Sequence, residues 1–197
     1  MGEILETDRL LIRRFTPADW PDLHDYLAKE SVVKYEPYGV FTESESKAEA
    51  QRRATDPNFW AVWHKQAHKV IGNVYLAEQN NGTWELGYVF NSDFQGCGFA
   101  TEAVSALVDT VFAANNARRI IAKCNPLNER SWRLLERLGF HRERHLVKNI
   151  YFKFDDDGNP IWSDTFEYVL LATEWNDLGM ATEWESAARF PQLEFHK

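Results

Sequence analysis

The chain has 197 residues, 44% hydrophobic and 26% charged, which suits one globular domain and is too short for two full ones. With 30 acidic against 22 basic residues its formal charge is −8, the wrong sign for gripping nucleic acid through phosphates and a better match to a cationic partner. No apolar run approaches the ~20 residues of a membrane helix, Met1 to Asp8 lack a secretory-signal pattern, and Cys97 and Cys124 are too few for a disulfide framework. A cytoplasmic protein without a membrane or nucleic-acid partner is expected.

Glu6 to Phe15 reads as a first strand, with Leu10 and Ile12 alternating against Arg13. Thr16-Pro17-Ala18-Asp19 is a helix start leading to about Ala28, and Thr42-Glu43-Ser44-Glu45 is a second one, leading to about Ala54. Phe59 to His64, Val70 to Ala77 and Thr83 to Phe90 then form an antiparallel meander broken by turns such as Asn80-Asn81-Gly82. Val104, Leu107, Val108 and Val111 give Thr101 to Ala114 the spacing of an amphipathic helix. Arg119 to Cys124 is a short strand, Ser131 to Leu138 a helix closed by Gly139, and Phe140 to Phe154 and Trp162 to Leu171 are strands joined through Asp155 to Asn159. The trytophan-bearing strands place Trp60, Trp63, Trp84 and Trp162 in the core by default.

The segment richest in chemistry is Gln95-Gly96-Cys97-Gly98-Phe99-Ala100, lying between a strand and the helix that begins at Thr101. Glycines at a helix start let backbone N–H groups converge where the helix dipole is positive, which suits a pyrophosphate. The bare pattern Q-x-x-G-x-A is weak, and a glycine loop that merely caps a core helix stands equally open on these residues alone. No histidine spacing suggests a metal site: His141 and His145 fall on a strand, and Asp155 to Asp157 read as a solvated turn.

In its setting, Gln95 to Ala100 is similar to the acetyl-CoA pyrophosphate loop of the GNAT superfamily. Thr7 to Arg13, Leu86-Gly87-Tyr88, Gly98 to Ala103, Asn128 with Ser131, Leu138-Gly139-Phe140, and Asp164 with Tyr168 and Glu174-Trp175 resemble its RimJ/RimL-like branch, in the same order. The resemblance implies an α/β fold with a mixed central sheet of about seven strands and about four helices, splayed between the fourth and fifth strands. It places one acetyltransferase domain over residues 1–175, followed by a C-terminal tail, 176–197, and implies acetyl-CoA as acyl donor to a primary amine. The acceptor is either a small amine or amino acid derivative or a protein N-terminal α-amine; a homodimer is the default assembly.

By position the resemblance assigns Tyr88, Val89 and Phe90 to the strand edge that pairs with pantetheine, with a backbone N–H near Phe90 serving the oxyanion. Gln95, Gly96, Cys97, Gly98, Phe99, Ala100 and Thr101 would hold the pyrophosphate, and Asn128 would bond the pantetheine arm or simply cap its helix. Glu85 is the candidate base, acting through water, or else a salt-bridge or orienting group. Where many family members carry a tyrosine this chain has Leu135, so Ser131, one turn earlier, is the candidate acid for the CoA thiolate, or a first-turn serine satisfying backbone. Cys97 stands where a basic residue is frequent, which shifts phosphate binding toward Thr101, Arg130 and Arg133. The missing tyrosine also keeps open an acyl-CoA-binding regulator or a degenerate, non-catalytic acetyltransferase.

Overall fold

The computed structural model describes residues 4–114 and 117–177. Strands are β1 (Ile4–Glu6), β2 (Leu10–Arg14), β3 (Phe59–His64), β4 (Lys69–Glu78), β5 (Thr83–Phe90), β6 (Arg119–Cys124), β7 (His141–Phe154) and β8 (Pro160–Leu171). Helices are α1 (Trp20–Leu27), α2 (Glu30–Val33), α3 (Glu43–Thr55), α4 (Phe99–Ala114), α5 (Glu129–Arg137) and α6 (Ala172–Asp177). The eight strands form one mixed sheet in the order β1-β2-β3-β4-β5-β6-β8-β7. β5 and β6 are its parallel pair, joined through α4 as a parallel connection requires.

Two expectations change. The first strand is a hairpin, because the Thr7 hydroxyl accepts the Leu10 amide at 3.0 Å and Thr7 N–H donates to Leu10 O at 3.0 Å, turning the chain between β1 and β2. Among the described residues that makes eight strands, and the short α2 and α6 bring the α-helices to six. Trp60 and Trp84 are buried and Trp63 half-buried, but Trp162 is 50% exposed, because it lies on the part of β8 that pairs with β7 beyond the reach of β6. Of the tail, residues 178–197 lie outside the described residues.

Two apolar cores sandwich the sheet. Trp84, Leu86 and Phe90 of β5 join Leu107, Val108, Leu134 and Leu138 on the α4–α5 face, while Val89 joins Leu23, Tyr26 and Val33 on the α1–α3 face. Alternation along β5 therefore gives even-numbered side chains to one face and odd-numbered side chains to the other. Trp175 of α6 is 1% exposed and its Nε1 donates to Asp109 Oδ1 at 2.6 Å, fixing the end of the described fold onto α4.

Candidate active site

The sheet opens where the chemistry is expected. β4 and β5 stay paired from Trp84 to Phe90, but β5 and β6 pair only from Thr83–Arg119 to Leu86–Ala122. At both ends of β5 the bonds to β4 belong to odd positions: Gln79 N–H donates to Thr83 O at 2.7 Å, and Asn91 N–H donates to Ile71 O at 2.9 Å. Antiparallel ladders alternate, so the backbone N–H groups of Tyr88 and Phe90 point away from β4 into the gap left by β6. Gly72 permits this approach, since a Cβ there would lie 2.6 Å from both Phe90 Cδ1 and Val89 O. An open cleft of about 1750 Å³ runs through the gap and is lined by residues of β5, the following loop, α5 and the chain between α2 and α3.

Beyond Phe90 the chain is pinned before it turns. Asn91 is buried; its Nδ2 donates to Asp25 Oδ2 at 2.8 Å, and its Oδ1 accepts from Lys29 Nζ at 2.8 Å. Gln95 Nε2 then donates to Phe90 O at 3.2 Å, while Arg130 Nη1 donates to Gln95 Oε1. Gly96 and Gly98 take φ of +78° and +82°, left-handed values that cost most residues strain. Arg9 straps the loop: Nη1 donates to Cys97 O at 2.9 Å, Nε donates to Glu102 Oε2 at 2.7 Å, and the guanidinium lies 4.5 Å from the Phe99 ring centroid. Cys97 is exposed; Ala100 and Thr101 lie in the first turn of α4, where Arg137 Nη1 reaches Thr101 Oγ1 at 3.3 Å. Arg130 and Arg137 thus flank the loop, whereas Arg133, which also lines the cleft, pairs with Glu129 at 2.9 Å. The structure brings Gln95 to Thr101 together at one end of the cleft, and all but Cys97 line it.

Tyr88 Oη donates to Ser131 O at 2.9 Å and sits 3.1 Å from Ser131 Oγ, carrying α5 against the open end of β5. Burial raises the Tyr88 phenol far above its ordinary range, with the Ser131 contact opposing it, so the phenol keeps its proton. Burial also pushes the Cys124 thiol up to about 11, against the pull of the Ser131 hydroxyl. Asn128 caps α5, its Oδ1 accepting the Ser131 amide at 3.4 Å, so the capping role is realised while its Nδ2 has no protein acceptor among the described residues. Leu135 is buried in the core and offers no proton.

Glu85 lies on the opposite face, toward α1–α3, with Oε1 3.3 Å from Lys123 Nζ and Oε2 3.4 Å from Gln79 Nε2. On that face the sequence reading missed Glu36. It occupies the segment between α2 and α3 and lines the cleft beside Tyr38, Phe41, Phe59 and Tyr75. Burial pushes the Glu36 carboxyl up to about 7, although the Tyr38 hydroxyl and the Arg53 guanidinium draw it down. Its signal in the sequence is faint: one carboxylate within Tyr35-Glu36-Pro37-Tyr38, an aromatic, proline-bearing linker. Tyr35 Oη donates to Leu127 O at 3.0 Å, tying this linker to the β6–α5 turn across the cleft.

A split strand pair beside a glycine loop at a helix start is an anion-binding arrangement next to free backbone donors, as the resemblance to acetyltransferases implies. The acetyltransferase (GNAT) domain matches residues 9–141. The uncharacterised N-acetyltransferase YnaD of Bacillus subtilis is 36% identical over 177 residues, covering 87% of this chain and 99% of that protein. A GNAT-family acetyltransferase structure from Bacillus anthracis superposes with a TM-score of 0.79 at 32% identity, over 87% of this chain and 100% of the other. The [ribosomal protein uS5]-alanine N-acetyltransferase of Escherichia coli is 25% identical over 191 residues, covering 87% of this chain and 92% of that protein, in line with the RimJ/RimL-like resemblance. The chain belongs to the GNAT acetyltransferase family and is an acetyltransferase enzyme.

Proposed function

We propose that the protein transfers acetyl from acetyl-CoA to a primary amine by direct attack within a ternary complex. The observation that carries this reading is the open edge of β5, whose Tyr88 and Phe90 amides face the gap immediately upstream of the Gly96–Gly98 loop. Pantetheine would lie along Tyr88, Val89 and Phe90 as an added strand, and a gap-facing amide near Phe90 would stabilise the tetrahedral oxyanion. Gln95, Gly96, Cys97, Gly98, Phe99, Ala100 and Thr101 would surround the pyrophosphate, with Arg130 and Arg137 supplying the charge that Cys97 lacks. Asn128, held as a helix cap, would offer its Nδ2 to the pantetheine arm.

Attack forms the C–N bond and breaks the C–S bond, so the departing thiolate needs a proton. Ser131, in contact with the protonated Tyr88 phenol and lining the cleft, would supply that proton in place of the residue Leu135 cannot provide. Glu85, engaged by Lys123 and Gln79, suits orientation of the acceptor better than proton removal. Glu85→Gln is expected to raise KM for the amine and leave the pH dependence of kcat/KM unmoved; a lost acid limb would make Glu85 the base instead.

The test of the whole reading is calorimetric titration of acetyl-CoA, desulfo-CoA and ATP, followed by thiol release with phenethylamine, tryptamine, spermidine and an alanine-headed peptide. Acetyl-CoA and desulfo-CoA bind and ATP binds weakly if the reading holds. A folded protein that does not bind acetyl-CoA refutes it.

A further inference from the structure

Glu36 is partly buried in the cleft and makes no ion pair among the described residues. The neighbouring cations are committed elsewhere. Arg53, 2% exposed, donates from Nε to Glu49 Oε1 at 2.7 Å and from Nη1 to Asn73 Oδ1 at 2.8 Å, and Arg52 holds Glu49 at 2.7 Å. Around Glu36 the wall is aromatic: Tyr38 meets Phe41 edge-on at 5.2 Å, and Phe59 meets Tyr75 at 5.0 Å between centroids. Arg52 and Arg53 already cover the Phe59 ring at 4.8 and 4.7 Å, and the Arg53 charge and the Tyr38 hydroxyl draw on Glu36 without pairing it, so the carboxylate keeps room on its cleft side, near Tyr38, Phe41 and Tyr75, for an organic cation.

The same cluster connects to the reaction strand. Asn73, which holds Arg53, is the direct partner of Val89 across the β4–β5 ladder, and the Arg53 charge reaches Glu36, which links the carboxylate to the open end of β5 through one short chain of neighbours. Resting on the acetyl-transfer reading, we infer that Glu36 receives the ammonium of the acceptor and takes its proton, and that the acceptor is a cationic primary amine with an apolar or aromatic flank. The ammonium gives one N–H proton to the Glu36 carboxylate, and the freed lone pair attacks the thioester carbon. The C–S bond breaks, and the second proton shed by nitrogen balances the one taken up by the CoA thiolate. Glu36 returns its proton to solvent.

The pH at which this works depends on everything around the carboxylate. Arg53 from α3 and Tyr38 from its own linker act on it directly, Tyr26 of α1 lies against Arg53, and Glu49, Arg52, Tyr75, Lys34, Tyr35, Glu85 and Lys123 line the same cleft. A carboxyl that ionises near 7 in the fold and at 4.5 when unconstrained holds its proton more tightly in the folded state. Its contribution to stability is therefore full below 4.5 and is lost as pH rises through about 7.

The experiment compares wild type, Glu36→Gln and Glu36→Asp in three readouts: acetyl-CoA calorimetry, kcat/KM against pH for the panel amines, and thermal unfolding from pH 4 to 8. Expected are unchanged acetyl-CoA affinity in all three proteins and a kcat/KM loss on the order of 100-fold in Glu36→Gln. The acid limb near 7 should disappear in Glu36→Gln and survive in Glu36→Asp, and the fall in stability between pH 4.5 and 7 should vanish with the glutamine. Turnover by Glu36→Gln within twofold of wild type, or an unmoved acid limb, overturns the inference alone. Binding of acetyl-CoA with no panel amine acetylated also overturns it, whereas loss of acetyl-CoA binding by the wild type would instead refute the acetyl-transfer reading.

Discussion

Alanine at Gly96 and at Gly98 separates two costs in the loop. Both glycines hold left-handed φ, +78° and +82°, where a Cβ costs roughly 1–2 kcal/mol. At Gly96 a Cβ would meet nothing within 4 Å, so Gly96→Ala carries the backbone cost alone. At Gly98 it would lie 3.4 Å from Arg9 Nη2, just touching the end of the strap that holds Cys97 O, so Gly98→Ala adds a small crowding of that side chain to the backbone cost. The loop is at the surface and can relax in the free protein, which leaves Tm nearly unchanged and transfers the cost to binding. A 1–2 kcal/mol penalty weakens acetyl-CoA affinity about 5- to 30-fold, with Gly98→Ala the weaker of the two. Gly39→Ala, in open space at ordinary φ, is the neutral control. Calorimetric Kd values and thermal melts on the three variants are sufficient. Wild-type affinity in well-folded Gly96→Ala and Gly98→Ala would refute the assignment of this loop to the pyrophosphate.

At pH 8, a thiol reagent should label Cys97 and spare Cys124, which is partly buried and pushed up to about 11. Acetyl-CoA should slow the labelling; mass spectrometry of the peptides reads both, and equal labelling of the two cysteines would contradict the packing of Ser131 against β6. Trp175→Ala should destabilise by about 3–5 kcal/mol, since it empties a fully buried site and removes the bond to Asp109. Urea unfolding checks it, and a loss under 1 kcal/mol would mean that α6 does not close the core.

The loop was legible because its cause is local: two glycines before a helix whose Val104, Leu107, Val108 and Val111 repeat at helical spacing. The strap was not, because Arg9 and Glu102 are separated by 93 residues and each alone reads as an ordinary surface charge. The Tyr88–Ser131 contact spans 43 residues, so Tyr88 was readable as a strand-edge position but not as a phenol carried to α5. Thr7 misled for a related reason: its side chain stands in for a backbone partner, which lets a chain that looks continuously extended turn back on itself. Glu36 owes its character to burial near Arg53, at the far end of α3, and Tyr75 of β4, side chains that only the fold brings to the linker.

β7 is the outer strand of the sheet, 14 residues long, with Val147, Tyr151, Phe152 and Phe154 exposed. Such an edge would ordinarily be a template for strand addition by another chain. Its pairing with β8 shifts between Arg142 and Arg144, Leu146 and Ile150, and Tyr151 and Lys153, and Lys148 takes a φ of 46°. These irregularities break the row of outward amides and carbonyls into short pieces, with Arg142, Glu143, Arg144, Lys148 and Lys153 interspersed. The apolar tip can therefore remain in water without recruiting a neighbour along its backbone, and a deletion that straightened β7 would create a sticky edge out of residues that are now harmless.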